Sequence, residues 1–111
     1  MFDKKSGSKI TYGIVGLGRF GQALARDLAE SGAELIVLDS SEDKVREMRE
    51  LTENAYVVKS LDKKTLEASG IQNCDVAVVC IGEQMDTSIL TVLNLVSLGV
   101  PKVIAEAASA E

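Results

Sequence analysis

At 111 residues, 46% of them hydrophobic and 26% charged, the chain is one domain's worth of sequence, too short for a cofactor domain and a substrate domain together. A net charge of −5 argues against nucleic-acid binding through a broad basic face, and the absence of histidine removes the commonest general base, Ser-His triads and nearly all zinc sites. No apolar run approaches the roughly 18 residues of a membrane span, and the polar opening Met1–Lys9 does not read as a secretory signal.

Residues 1–8 read as a flexible polar leader and residues 9–111 as a single domain. Lys9–Val15, rich in β-branched and aromatic residues, predicts a strand, and Gly16–Gly21 a glycine turn. Phe20, Ala23, Leu24 and Leu28 then recur at helical spacing, predicting a helix over Phe20–Ser31 that stops at Gly32. Glu34–Asp39 predicts a second strand. Ser41, followed by Glu42 and Asp43, caps a second helix whose buried stripe is Val45, Met48 and Leu51. Ala55–Val58 is a short third strand and Asp62–Ser69 a short helix closed by Gly70. Asp75–Ile81 is a fourth strand, apolar enough to be covered on both faces. Asp86–Leu98 is a long apolar helix ended by Gly99 and Pro101, and Lys102–Ala105 a fifth strand.

Strands alternating with helices imply a parallel sheet with right-handed crossovers. The expected fold is α/β: a Rossmann-like, doubly wound, three-layer α/β/α sandwich with strand order 3-2-1-4-5. A complete dinucleotide fold has six strands, so this sheet is expected to be C-terminally truncated, with its fifth strand at an exposed edge. Cys74 and Cys80 lie six residues apart in one predicted strand, a separation of roughly 20 Å. A disulfide needs Cα atoms within about 7 Å, so these read as two buried thiols in a reducing compartment.

Gly16-Leu17-Gly18-Arg19-Phe20-Gly21 fits G-x-G-x-x-G between a predicted strand and a predicted helix. In that setting Gly16 permits the tight turn, Gly18 lets a pyrophosphate approach the backbone, and Gly21 lets the helix lie close to the strand. The helix start offers free N–H groups to phosphate. Asp39, 18 residues beyond Gly21, stands where a carboxylate accepts hydrogen bonds from ribose hydroxyls. Its charge, with Ser40 and Ser41 next and no arginine beside them, favours NAD or a simple adenosine nucleotide over NADP. Arg19 reads either as a phosphate clamp or as a solvated surface residue. The spacing of Gly13 and Gly18 mimics a P-loop, but Arg19-Phe20 replaces its Lys-Ser/Thr. No Tyr-x-x-x-Lys pair is present either, so no catalytic residue is identifiable. Asp75, Glu83 and Asp86 fit no metal loop and read as solvated caps.

Two stretches, YGIVGLGRFGQALARDLAESGAELIVLD and LEASGIQNCDVAVVCIGEQMDTSILTVLNLVSLGVPKVIAEA, resemble the RCK N-terminal domain, also called the KTN or TrkA-N domain, from about Lys9 to Ala107. The resemblance implies a non-enzymatic regulatory subunit of a potassium uptake system. Such a subunit is cytoplasmic and peripheral, held at the inner face of the membrane by a channel or transporter subunit. It forms a homodimer or larger ring, inserts nothing into the membrane, binds no nucleic acid, and takes NAD(H), AMP, ADP or ATP at the glycine loop. Gly16, Gly18, Arg19, Gly21 and Asp39 match the family's nucleotide site, flanked by Leu17, Phe20, Ser40, Ser60, Cys80, Ile81 and Gly82. Lys59 stands where the family usually has Asp or Asn, and Glu106 where it often has Arg or Lys. Both departures are expected to disfavour ATP against NAD(H), AMP or ADP. The alternative is the cofactor-binding half of an NAD-dependent dehydrogenase, whose catalytic groups lie in another domain. The Asp86–Leu98 helix, apolar around most of its circumference, is covered either by more of the domain or by a second copy.

Overall fold

The computed structural model describes residues 9–81 and 85–106. The expected leader at 1–8, Glu83 and the final residues from 107 lie outside that range. Five strands, β1 (Thr11–Val15), β2 (Glu34–Asp39), β3 (Ala55–Val57), β4 (Val76–Val79) and β5 (Lys102–Ala105), form one parallel sheet in the order β3-β2-β1-β4-β5. The helices are α1 (Arg19–Glu30), α2 (Glu42–Met48), α3 (Lys63–Ser69) and α4 (Met85–Ser97), with a 3-10 turn at Ile71–Asn73. The expected Rossmann-like order and type of elements are therefore observed, with differences of one or two residues at most element ends.

Side-chain alternation along the central strands divides the core into two layers, as the pleat requires. Ile14, Leu35, Val37 and Val78 join Ala25, Val45 and Met48 beneath α1 and α2. Val15, Ile36, Leu38, Ala77 and Val79 face the other way, onto Leu66, Ile71 and Leu95 beneath α3 and α4. Gly13 belongs to this second layer: a Cβ there would meet Ile71 Cδ1 at 2.5 Å, so the absent side chain lets the 3-10 turn press onto β1.

Local chemistry sets the helix ends. Ser41 caps α2 by accepting from Lys44 N–H at 3.3 Å, and Asp62 caps α3 by accepting from Thr65 N–H at 2.8 Å. Gly70, in the left-handed region at φ +83°, ends α3. At the other end of the sheet Asp75 clasps β1: its N–H donates to Thr11 O and its Oδ2 accepts from Thr11 N–H, both at 2.8 Å.

One expected helix face is corrected, on α1, while α4 is apolar over more than the sheet covers, as its sequence suggests. On α1, Gly21 and Ala25 are buried, with Leu24, Leu28 and Ala29 packed against them, while Phe20 is 48% exposed and Ala23 is exposed. The inward stripe runs one position later than the apolar spacing suggested, because Gly21 must face the sheet. On α4, Leu95 and Thr91 are fully buried, whereas Ile89, Leu90, Leu93 and Val96 are more than half exposed.

Because Leu38 is fully buried on β2, an interior strand of the sheet, Leu38→Ala is expected to cost about 2–5 kcal/mol in urea unfolding. Glu47→Ala removes only an exposed 3.9 Å ion pair with Arg26 and is expected to change stability by less than about 1 kcal/mol.

Candidate functional site

The ladder continues one residue past most of the strands, so five segment ends meet at one edge of the sheet. Gly16 N–H donates to Leu38 O at 2.8 Å, Val58 N–H to Asp39 O at 2.9 Å, Cys80 N–H to Val15 O at 2.7 Å and Glu106 N–H to Val79 O at 2.9 Å. Beyond them the chain turns away, leaving a cleft of about 540 Å³. Strand order reverses at β1, between β2 and β4, which is where open α/β sheets form their ligand crevice.

The glycine turn is the floor of this cleft. Gly16 has φ +104°, and a Cβ on it would stand 2.5 Å from Cys80 O. A Cβ on Gly21 would collide with Gly16 O, so α1 can leave at this height only with glycine there. A Cβ on Gly18 would meet nothing within 4 Å: its surroundings are open toward the cleft rather than filled by protein. Gly18 is also the N-cap of α1 and offers no capping side chain, and α1 has no acidic residue in its first turn. Its leading N–H groups are left for an anion.

Asp39 ties this turn to β2. Its Oδ1 accepts from Leu17 N–H at 2.7 Å and its Oδ2 from Ser41 N–H at 2.8 Å. Each oxygen retains a second acceptor position, so the carboxylate is fixed in place and still able to receive two hydroxyl donors. Gln22 Nε2 donates to Leu17 O at 3.0 Å, completing the frame of the loop.

Of the residues singled out in the sequence, Gly16, Gly18, Asp39, Ser40, Lys59, Ser60 and Ile81 line the cleft. Leu17 does not: its side chain is fully buried in the core and only its N–H serves the site, through Asp39. Gly21 lies under the loop. Arg19 and Phe20 are exposed on the first turn of α1, beside the cleft rather than in its lining. Cys80 is buried beneath the turn, and Gly82 lies outside the described residues. Glu106 follows β5, outside the cleft lining, and its charge helps to raise the Cys80 thiol.

Sequence reasoning missed Lys44, Ser41 and Thr87 as cleft residues. Ser41 was legible as a helix cap and a neighbour of Asp39 without a binding role, Lys44 only as the start of a helix, and Thr87 only as part of an apolar one. Lys59 Nζ donates to Ser40 O at 2.7 Å, so it reaches back toward β2.

Burial pushes the Cys74 thiol up to about 11, and burial reinforced by Glu106 pushes Cys80 up to about 12. Both are held as neutral thiols. No group of three or more metal-ligating side chains occurs among the described residues, and none of their helices is long and apolar enough to cross a membrane. Asp75, one of the carboxylates weighed for a metal, instead accepts the Thr11 amide.

The family model described as the TrkA-N domain matches residues 12–111. The Ktr system potassium uptake protein C of Bacillus subtilis (strain 168) is 40% identical over 92 residues, which is 83% of this chain and 42% of that protein. The chain thus spans less than half the length of this relative. The TrkA-N domain of the Escherichia coli inner membrane protein YbaL superposes with a TM-score of 0.61 at 15% identity, covering 89% of each chain. A variant imine reductase from Myxococcus stipitatus, solved with NAD+, gives 0.68 at 18% identity, over 92% of this chain and 33% of its own. These two likenesses are of fold.

Two outcomes are expected. Gly21→Ala should lower stability by roughly 1–3 kcal/mol or more in denaturant unfolding, whereas Gly18→Ala should leave the fold intact. Both thiols ionise near 9 when unfolded and near 11 and 12 when folded. Their contribution to stability is therefore complete below pH 9 and lost as the pH rises through 11 and 12. Unfolding midpoints across that range should fall with pH, less steeply in Cys80→Ala, and at pH 8 a thiol reagent should label the native chain only as fast as it opens.

Proposed function

The chain belongs to the TrkA-N domain family, and on that premise we propose that it is the nucleotide-sensing domain of a regulator of potassium transport. One observation carries the reading: the glycine turn and the fixed carboxylate of Asp39 meet in one open cleft at the strand-order reversal. The loop amides at the start of α1 receive the phosphates. Asp39 takes the ribose hydroxyls, and the purine lies against the apolar wall that Val58, Leu61 and Ile81 provide. NAD(H), AMP, ADP and ATP share this adenosine-phosphate portion.

The output follows from the relatives rather than from the cleft. The Bacillus subtilis relative is named as a potassium uptake protein, and a nucleotide-binding domain in such a protein acts on flux through a membrane partner. A nucleotide biases such a partner only by binding two arrangements of a subunit contact unequally. The exposed apolar stripe of α4 supports a contact of that kind, in a homodimer or larger ring at the cytoplasmic face. In this reading the chain catalyses no reaction.

Asp39→Ala is expected to weaken AMP and NAD+ binding by about 1.5–3 kcal/mol, the range for hydrogen bonds to a charged group, measured by calorimetry with circular dichroism as the check on folding. Equal affinities would remove Asp39 from the site. Glu106→Lys is expected to raise ATP affinity relative to AMP; an unchanged ratio would place Glu106 away from the phosphates. The regulatory reading itself is tested in vesicles holding the full-length regulator and its transporter, where nucleotide-independent potassium flux would overturn it.

A further inference from the structure

Among the described residues that line the cleft three are charged, Asp39, Lys44 and Lys59. Two lysines therefore stand with one acid there, in a chain whose net charge is −5. The imbalance sits at the ribose end. Lys59 Nζ is held 2.7 Å from Ser40 O, one residue beyond Asp39, and Lys44 lies three residues after Ser41, on the first turn of α2. The single acid among them has both carboxylate oxygens engaged by backbone amides, at 2.7 and 2.8 Å. A carboxylate after β2 excludes a phosphate on the ribose when nothing offsets its charge, and a nearby cationic side chain accommodates one. The residues next to Asp39 in sequence supply no such cation; α2 and the segment after β3 supply two.

Resting on the nucleotide-binding reading above, we propose that the cleft accepts an adenosine nucleotide carrying a phosphomonoester on its ribose, with Lys44 and Lys59 as its specificity-determining residues. Such a group carries about −1.5 to −2 charge at neutral pH, which these two lysines of the lining offset. NADP(H) presents it at the 2′ position, and 3′-phosphoadenosine cofactors at the 3′ position.

The test is calorimetric titration of the 111-residue chain with 5′-AMP, 2′,5′-ADP and 3′,5′-ADP. At least one bisphosphate is expected to bind as tightly as 5′-AMP or more tightly, and the preferred isomer distinguishes the two sources. Lys44→Gln combined with Lys59→Gln is expected to reduce that isomer's affinity relative to 5′-AMP at least fivefold; both side chains are exposed, and a melting curve confirms the fold. Both bisphosphates binding more weakly than 5′-AMP overturns the proposal and leaves the nucleotide site standing. A ratio that shifts less than fivefold in the double variant also overturns it. Binding of none of the three overturns the nucleotide site, and this inference with it.

Discussion

The carbonyl oxygen of Gly16 lies where a side chain at residue 21 would have to stand, so the first turn of α1 rests directly on the backbone of the turn below it. Gly16 is itself held against the Cys80 carbonyl and hydrogen-bonded to Leu38 O. The height of α1, the position of its free N–H groups and the gap between β2 and β4 therefore follow from one backbone contact. Asp39 fixes the remaining degree of freedom by drawing the Leu17 and Ser41 amides to one carboxylate. The loop is thus held by the chain's own backbone and by Asp39.

Much of this arrangement was legible in the sequence because it depends on short-range rules. The alternation of strand-like and helical stretches located the five strands and four α-helices described, though not the 3-10 turn, and the apolar run of β4 marked it as covered on both faces. The glycine spacing and Asp39 marked the cleft's floor and one wall. Phe20 was misread for a physical reason: hydrophobicity implied burial, whereas the contact between Gly21 and the turn below fixes the rotation of α1 and turns Phe20 outward. Lys44 and Thr87 carried no signal, since a lysine in the first turn of a short helix and a threonine in an apolar one become cleft residues only when distant strands align. Leu17 shows the converse: it belongs to the motif, yet its side chain serves the core.

The likeness to a reductase and to a TrkA-N domain at similar TM-scores follows from how little the fold itself specifies. A parallel sheet that reverses its strand order at β1 makes a crevice whatever the chain later does with it. What distinguishes one use from another lies at the crevice rim and on the outer faces. In the proposed reading those are the lysines beside Asp39 and the apolar outer stripe of α4, features that leave the sheet unchanged.

Placing β1 at the centre of the sheet also orders the folding of the chain. Its partner in β2 lies 23 residues on, Thr11 opposite Glu34, while its partner in β4 lies 64 residues on, Tyr12 opposite Val76. Loop-closure entropy makes the first pairing the easier of the two. The unit β1-α1-β2 can close early with the glycine turn already threaded, but one edge of β1 stays unpaired until β4 arrives. During that interval Val15 and Tyr12 present an open strand edge of the kind that pairs with other chains. The reciprocal clasp between Thr11 and Asp75 stands where that late edge closes. On this ordering β4 docking is the longest-range closure that β1 makes, and it comes after the unit that carries the glycine turn.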